Sequence, residues 1–247
     1  MIRFDKVCKS FGAKTVLDRV SFEISQGQIV FVIGKSGMGK SVLLKNIVGL
    51  LRPDSGEIWL ENEELTALDE LRYLGVRKKC GMVFQHPALL DSLTIYENVA
   101  FGIRSLGLLD SEEKIEKSVV EKLRLTHLGL DVLQLYPQDL SFGMQKRAAI
   151  ARTLAVEPSY LLFDEPTTGL DPVTTNAINK LIQDLSRQLK VTALVVSHDM
   201  HCALTIADKI LFLDQGRMIA EGSPSSLMKS PLSLVQQFLS EAKERLL

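Results

Sequence analysis

The sequence predicts an α/β fold: a mostly parallel sheet between helices, with an antiparallel β flank and a helical sub-domain. Three observations carry this expectation. Strand-like and helix-like segments alternate between residues 28 and 61 and again between 156 and 213. Such alternation closes into a parallel sheet through right-handed crossovers. Residues 1–33 are strand-like nearly throughout, whereas 94–155 carry apolar residues at helical spacing with few β-branched runs.

Element by element, residues 2–7 and 16–25 alternate apolar with polar side chains, as half-buried strands do. Residues 28–33 hold a continuous apolar run from Ile29 to Ile33, which suits a central strand buried on both faces. A helix follows from 40 to about 50, stopped by the turn residues Pro53-Asp54-Ser55-Gly56. Strands are expected at 56–61 and 80–84, then helices at 94–106, 111–125 and 143–155. Ser111 followed by Glu112 and Glu113 is a helix start with acidic residues against the dipole. Strands return at 160–163, 191–196 and 209–213, with a helix at 173–189 between the first two. The tail carries Leu234, Val235, Phe238, Leu239, Ala242 and Leu246 at helical spacing, which fits a helix packed on the domain or a partner-binding extension. The organisation expected is one domain: 1–93 and 156–223 form the core with its β flank, 94–155 the helical sub-domain, 224–247 the tail.

Composition narrows the class. With 46% apolar and 24% charged residues in 247, the chain has enough apolar material for a large core. A net charge of -1 and a pI near 6.4 argue against nucleic acid as a partner. The basic run Arg77-Lys78-Lys79 reads as a solvated face or a local anion contact. Cys8, Cys80 and Cys202 are odd in number and lack a C-x-x-C spacing, which points to reduced thiols in a cytosolic setting. No signal peptide is expected, and no apolar stretch approaches the ~20 residues that span a bilayer.

Chemistry concentrates at strand ends. Residues 34–41 fit G-x-x-x-x-G-K-[ST] between an apolar strand and a helix, the context that gives this pattern meaning. The candidate phosphate cradle is Gly34, Lys35, Ser36, Gly37, Met38, Gly39, Lys40, Ser41 and Val42. Its glycines let successive backbone N–H groups converge on phosphate oxygens, and the helix N-terminus adds a positive dipole end. Lys40 supplies a charge to the β- and γ-phosphates, and the Ser41 hydroxyl is a Mg²⁺ ligand. The strand 160–163 ends in Asp164-Glu165, carboxylates facing the crevice where α/β sheets bind ligands. Asp164 is assigned to the Mg²⁺ shell and Glu165 to general-base catalysis on an attacking water. Gln85, after another strand end, is placed to contact both metal and water. His198 follows a third strand end within reach of the γ-phosphate. His201 and Cys202, lacking further ligands, make too weak a metal site.

The ordered set of these motifs, with Leu140-Ser141-Phe142-Gly143-Met144-Gln145 and Gly169-Leu170-Asp171, resembles the ATP-binding-cassette (ABC) ATPases over essentially the whole chain. The resemblance implies ATP and Mg²⁺ as cofactors and ATP hydrolysis coupled to transport. It places Phe11 where an aromatic stacks on adenine, Tyr being commoner there, and Asp171 in a loop coupling two sites. It further implies that two copies close head to tail. Ser141, Gly143 and Met144 of one then cover the γ-phosphate held by Lys40 of the other. Integral-membrane permease subunits are the implied partners, docking near residues 85–101. The implied location is peripheral, on the cytoplasmic face of the inner membrane. The segment departs from the common L-S-G-G-Q at Phe142 and Met144. Met144, with the stretches around 37–41 and 81–101, is similar to the cassettes of Mla-type phospholipid transporters, which work with mammalian-cell-entry (Mce) domain proteins. The expectation is therefore lipid transport with an Mce-type partner. The rivals are an importer cassette for amino acids or ions and a soluble ATPase acting on ribosomes or DNA.

Overall fold

The computed structural model describes residues 1–244. Strands β1 (Ile2–Phe11), β2 (Lys14–Ile24) and β3 (Ile29–Ile33) lead into helix α1 (Lys40–Ile47). Then come β4 (Ser55–Leu60), the short β5 (Glu63–Glu64), α2 (Glu70–Lys79) and β6 (Cys80–Val83). A helical stretch follows with α3 (Ile95–Ser105), α4 (Glu112–Leu125) and α5 (Phe142–Leu154). The chain returns through β7 (Tyr160–Asp164), α6 (Pro172–Leu189), β8 (Thr192–Ser197), α7 (Met200–Ile206) and β9 (Lys209–Asp214). It ends with β10 (Arg217–Gly222), α8 (Pro224–Leu227) and α9 (Ser233–Glu244).

Two sheets result. The larger has the order β10-β9-β3-β8-β7-β6, parallel except for the β10 hairpin at its edge. The smaller, β2-β1-β4-β5, is antiparallel throughout and forms the β flank. The central strand β3 shows why its sequence is continuously apolar. Val30 and Val32 point into one core with β1, β2, β4 and α1, while Ile29, Phe31 and Ile33 point into a second core with α6, α7 and α9. A third apolar cluster lies apart, where Ile95, Val99 and Ile103 of α3 meet Ile115, Val119 and Leu123 of α4 and the small residues Ala148 and Ala151 of α5. In the tail helix, Val235, Phe238 and Leu239 pack on the second core, with the Phe238 ring edge-on to Phe212 at 5.7 Å. Leu246 and the side chain of Ala242 lie outside the described residues.

Several elements were not expected from the pattern. Helix α2 buries only Tyr73 and Val76, too narrow a stripe to register as periodicity. It is held by its ends instead: Asp69 accepts from the Arg72 N–H at 2.8 Å, and Arg77, Lys78 and Lys79 occupy the last turn. The basic run is thus mostly occupied locally, Arg77 with Glu70 and the Val48 carbonyl, Lys79 with Glu61 at 2.7 Å. Helix α5 begins one residue before the expected start, at Phe142, with Ser141 as its N-cap. Among the described residues, no helix is long and apolar enough to cross a membrane.

Candidate functional site

Register explains how distant motifs meet. In the parallel ladder Ile33 stands beside Ser197, Asp164 beside Val196 and Val83 beside Phe163. The C-terminal ends of β3, β8, β7 and β6 therefore lie along one edge. The residues just beyond them, Gly34 onward, His198, Glu165 and Gln85, converge without any long side chain being stretched. A cavity of ≈ 340 Å³ opens there, lined by Phe11, Val16, Ser36, Gly37, Gly39, Lys40, Ser41, Val42, Gln85, Glu165, Thr168 and His198.

The cradle itself demands glycine. Gly39 has φ 95°, and a Cβ there would stand 2.8 Å from the Val16 carbonyl oxygen. Both the left-handed backbone and the close approach exclude a side chain. Gly39→Ala is expected to lower stability by about 1–3 kcal/mol, read as a drop in Tm. An unchanged Tm would show that the loop can relax.

At the floor, Lys40 is buried and folds over its own loop. Its ammonium donates to the Gly34 carbonyl at 2.8 Å and the Lys35 carbonyl at 3.1 Å and stands 3.2 Å from Glu165 Oε1. The Ser41 hydroxyl donates to Asp164 Oδ1 at 2.6 Å. These two hard oxygen donors, one anionic, suit Mg²⁺, which takes one or two protein ligands and fills its shell with phosphate and water oxygens. Asp164 is itself 7% exposed.

Glu165 is the centre of the network. Its backbone sits at φ 48° and its N–H donates to the Val196 carbonyl at 2.9 Å, which fixes the carboxylate over the cavity. His198 Nδ1 lies 2.8 Å from Oε2, and the Thr168 hydroxyl donates to the same oxygen at 3.2 Å. Burial pushes the Glu165 carboxyl up, but the His198 hydrogen bond and the Lys40 charge outweigh it, leaving it below the ordinary carboxylate value. Conversely the hydrogen bond to Glu165 raises the His198 imidazole, against burial.

The sign of the linkage follows. The His198 contribution to stability is complete below its ordinary value of 6.5 and is lost as pH rises through the raised one. That of Glu165 is present above its ordinary 4.5 and is lost as pH falls through the lowered value. In the nucleotide-free protein the His198 titration followed by NMR should have its midpoint above 6.5 and fall back toward that value in Glu165→Gln. A midpoint at or below 6.5 in the unsubstituted chain would contradict the pairing.

A second group of expected residues lies elsewhere on the surface. Ser141, Phe142, Gly143, Met144, Gly169 and Asp171 line a separate shallow pocket of ≈ 360 Å³. Within one chain they do not reach the cradle cavity. The Ser141 hydroxyl accepts from the Met144 N–H at 3.4 Å, and Gly143 packs against Thr174 with no room for a Cβ. Asp171 caps α6, accepting from the N–H groups of Val173 and Thr174 at 2.9 and 3.0 Å. Phe142, the bulky departure, is half-exposed, and the Lys146 ammonium lies 5.2 Å from its ring centre. Phe11 is 47% exposed at the cavity mouth, with the Lys9 ammonium 5.5 Å from its ring centre. Cys202 is a core residue, its sulfur accepting from Asn179 at 2.8 Å.

Thr168 and Val16, which line the cradle cavity, were not anticipated. Thr168 and Val16 are ordinary residues beside motifs, and only the folded geometry turns them inward. Leu89, Leu90 and Leu93, between core and docking face on the sequence alone, divide: Leu89 packs partly on the third cluster and Leu90 is 38% exposed. The backbone around them is held by the buried Asn98, which donates to the carbonyls of Leu90, Leu93 and Thr94, each at 3.0 Å.

Comparison with known proteins bears on the family and the fold. A family model described as "ABC transporter" matches residues 17–168. The methionine import ATP-binding protein MetN of Carboxydothermus hydrogenoformans is 43% identical over 215 residues, 87% of this chain and 63% of that protein. Its counterpart from Mannheimia succiniciproducens is 40% identical over 244 residues, 97% of this chain and 70% of that one. The chain thus spans roughly two thirds of the length of these curated relatives. Among solved structures, the dimeric ATP-binding cassette MJ0796 in a post-hydrolysis state with ADP and Pi matches with TM-score 0.83 at 33% identity, over 91% of this chain and 99% of that one. The cassette cbiO1 from Clostridium perfringens, part of the transporter complex cbiONQ, gives TM-score 0.85 at 29% identity, over 93% and 90%. The names of the relatives concern methionine import, so the expected lipid-transport subtype and its Mce partner find no support among them. The α/β cassette architecture and the family expectation agree with these matches: the chain belongs to the ABC transporter family.

Proposed function

We propose that this chain is the ATP-hydrolysing cassette of an importer whose cargo is methionine or a chemically related amino acid. The observation that carries the hydrolytic part is the convergence of Lys40, Ser41–Asp164 and Glu165–His198 at the ends of adjacent parallel strands. The cargo class rests on the names of the relatives.

In this reading the glycine-rich loop and Lys40 bind the triphosphate, and Phe11 packs against the base. Ser41 and Asp164 hold Mg²⁺, which when bound neutralises charge on the β- and γ-phosphates. Glu165 accepts the proton of the attacking water, His198 orients that carboxylate, and Gln85 helps position the water. Lys40 moves from Glu165 to phosphate as nucleotide enters, which frees the carboxylate to act as base. Two copies pair head to tail, so that Ser141 and Gly143, at the N-terminus of α5, meet the γ-phosphate of the opposite copy. The separation of the 141–144 pocket from the cradle supports this reading, since each half is incomplete alone. The segment 85–101, with Leu90 and Phe101 exposed, is the docking face for a membrane permease on the cytoplasmic side.

The test is copurification from detergent-solubilised membranes with measurement of ATPase activity in the recovered complex. The expected result is a permease with a soluble amino-acid-binding protein, and ATPase activity stimulated by methionine. Recovery of an Mce-domain protein would overturn the cargo class and restore the lipid reading that Met144 favours.

A further inference from the structure

Lys146 is the most buried lysine among the described residues, at 1% exposure. The other two buried lysines, Lys40 and Lys122, each face a carboxylate at 3.1–3.3 Å. Lys146 has no ion pair among the described residues. Its ammonium donates instead to the backbone carbonyl of Gln85 at 2.5 Å and lies near the Phe142 ring. Burying an ammonium is costly, and an apolar side chain of similar length would fill the same space without that cost. What the lysine adds is a directional tie to one carbonyl.

That tie is one of two. Helix α5 also donates from Arg152 to the Ala88 carbonyl at 2.7 Å, while the Thr153 hydroxyl donates within the helix to the Ala149 carbonyl at 2.9 Å. One helix therefore grips the backbone of residues 85–88 at two points, and the first is a residue that lines the cradle cavity. The same helix begins at Ser141, in the second pocket. Lys146 itself lines neither pocket.

We propose that Lys146 is a positioning residue for ATP hydrolysis, locking the Ser141-led helix to the Gln85 segment so that the two move as one body. A shift of Gln85 on nucleotide entry would otherwise dissipate in the loop after β6. Through Lys146 it is passed to the helix that must meet the opposite copy. The inference rests on the ATPase reading above.

Its test compares wild type, Lys146→Met and Lys146→Arg in steady-state ATPase kinetics and amide hydrogen exchange. For Lys146→Met, kcat should fall about tenfold with KM for ATP within about threefold, as expected for loss of one coupling hydrogen bond. Exchange should quicken in residues 85–90 but not in β3 or β7, and Lys146→Arg, which keeps an N–H donor, should recover most of both. Wild-type kcat in Lys146→Met, or a loss accompanied by uniformly faster exchange, would overturn the proposal. If Lys146→Met does not fold, Lys146→Arg decides: wild-type exchange at 85–90 with the kcat loss unrelieved would overturn it. Absence of hydrolysis in the wild-type control would instead remove the ATPase reading itself.

Discussion

Glu165→Gln should bind Mg·ATP at least as tightly as the wild type while losing about 10²–10⁴-fold in kcat, the usual range for a removed general base. The amide keeps the size of the carboxylate and can still accept from Thr168, so the strand end should hold its shape. What disappears is the proton acceptor and the negative charge that holds Lys40 at 3.2 Å. Released from that ion pair, Lys40 becomes free for phosphate, and repulsion between the carboxylate and the γ-phosphate is gone. ATP should therefore accumulate unhydrolysed and the closed pair of copies should persist, visible as a dimer on size-exclusion chromatography with Mg·ATP. Turnover near the wild-type rate would remove Glu165 from its role.

Lys40→Ala is expected to act one step earlier. The ammonium is buried and held by the Gly34 and Lys35 carbonyls, so its position is set by the loop before ligand arrives. A charged hydrogen bond of this kind contributes about 1.5–3 kcal/mol, so Kd for ATP should rise roughly 10–150-fold. Both variants should be inactive, but only Glu165→Gln should form the ATP-dependent dimer. Calorimetric titration separates them. An unchanged Kd in Lys40→Ala would mean that the loop N–H groups alone hold the triphosphate.

Much of this was legible before folding because the chemistry is encoded locally. The cradle is a contiguous pattern, and β3, β7 and β8 announce themselves as short, mainly apolar runs ending in Gly34, Asp164-Glu165 and Ser197-His198. Parallel pairing then aligns those ends whatever the loops between them do. The missed elements share a different physics. Strand β10 is an edge strand with one half-exposed face, so its alternation is shallow, and its hairpin depends on positive φ at Gln215 and Gly216. Helix α7 is seven residues long, too short for a stripe, though Asp199 caps it by accepting from His201 and Cys202. Lys146 could not have been singled out, because nothing in Gln145-Lys146-Arg147 says which of three polar side chains turns inward. Its partner is a backbone carbonyl 61 positions away. The cargo lies further still from the residues, since it is chosen by proteins that this chain would only drive.

The most direct measurement is a structure of the Glu165→Gln variant with Mg·ATP. The account predicts Lys40 on the γ-phosphate rather than on residue 165, and Ser41 and Asp164 around the metal. The Ser141 hydroxyl of a second copy should lie within about 3 Å of the same γ-phosphate. A triphosphate held by one copy alone, with every Ser141 turned to solvent, would contradict it.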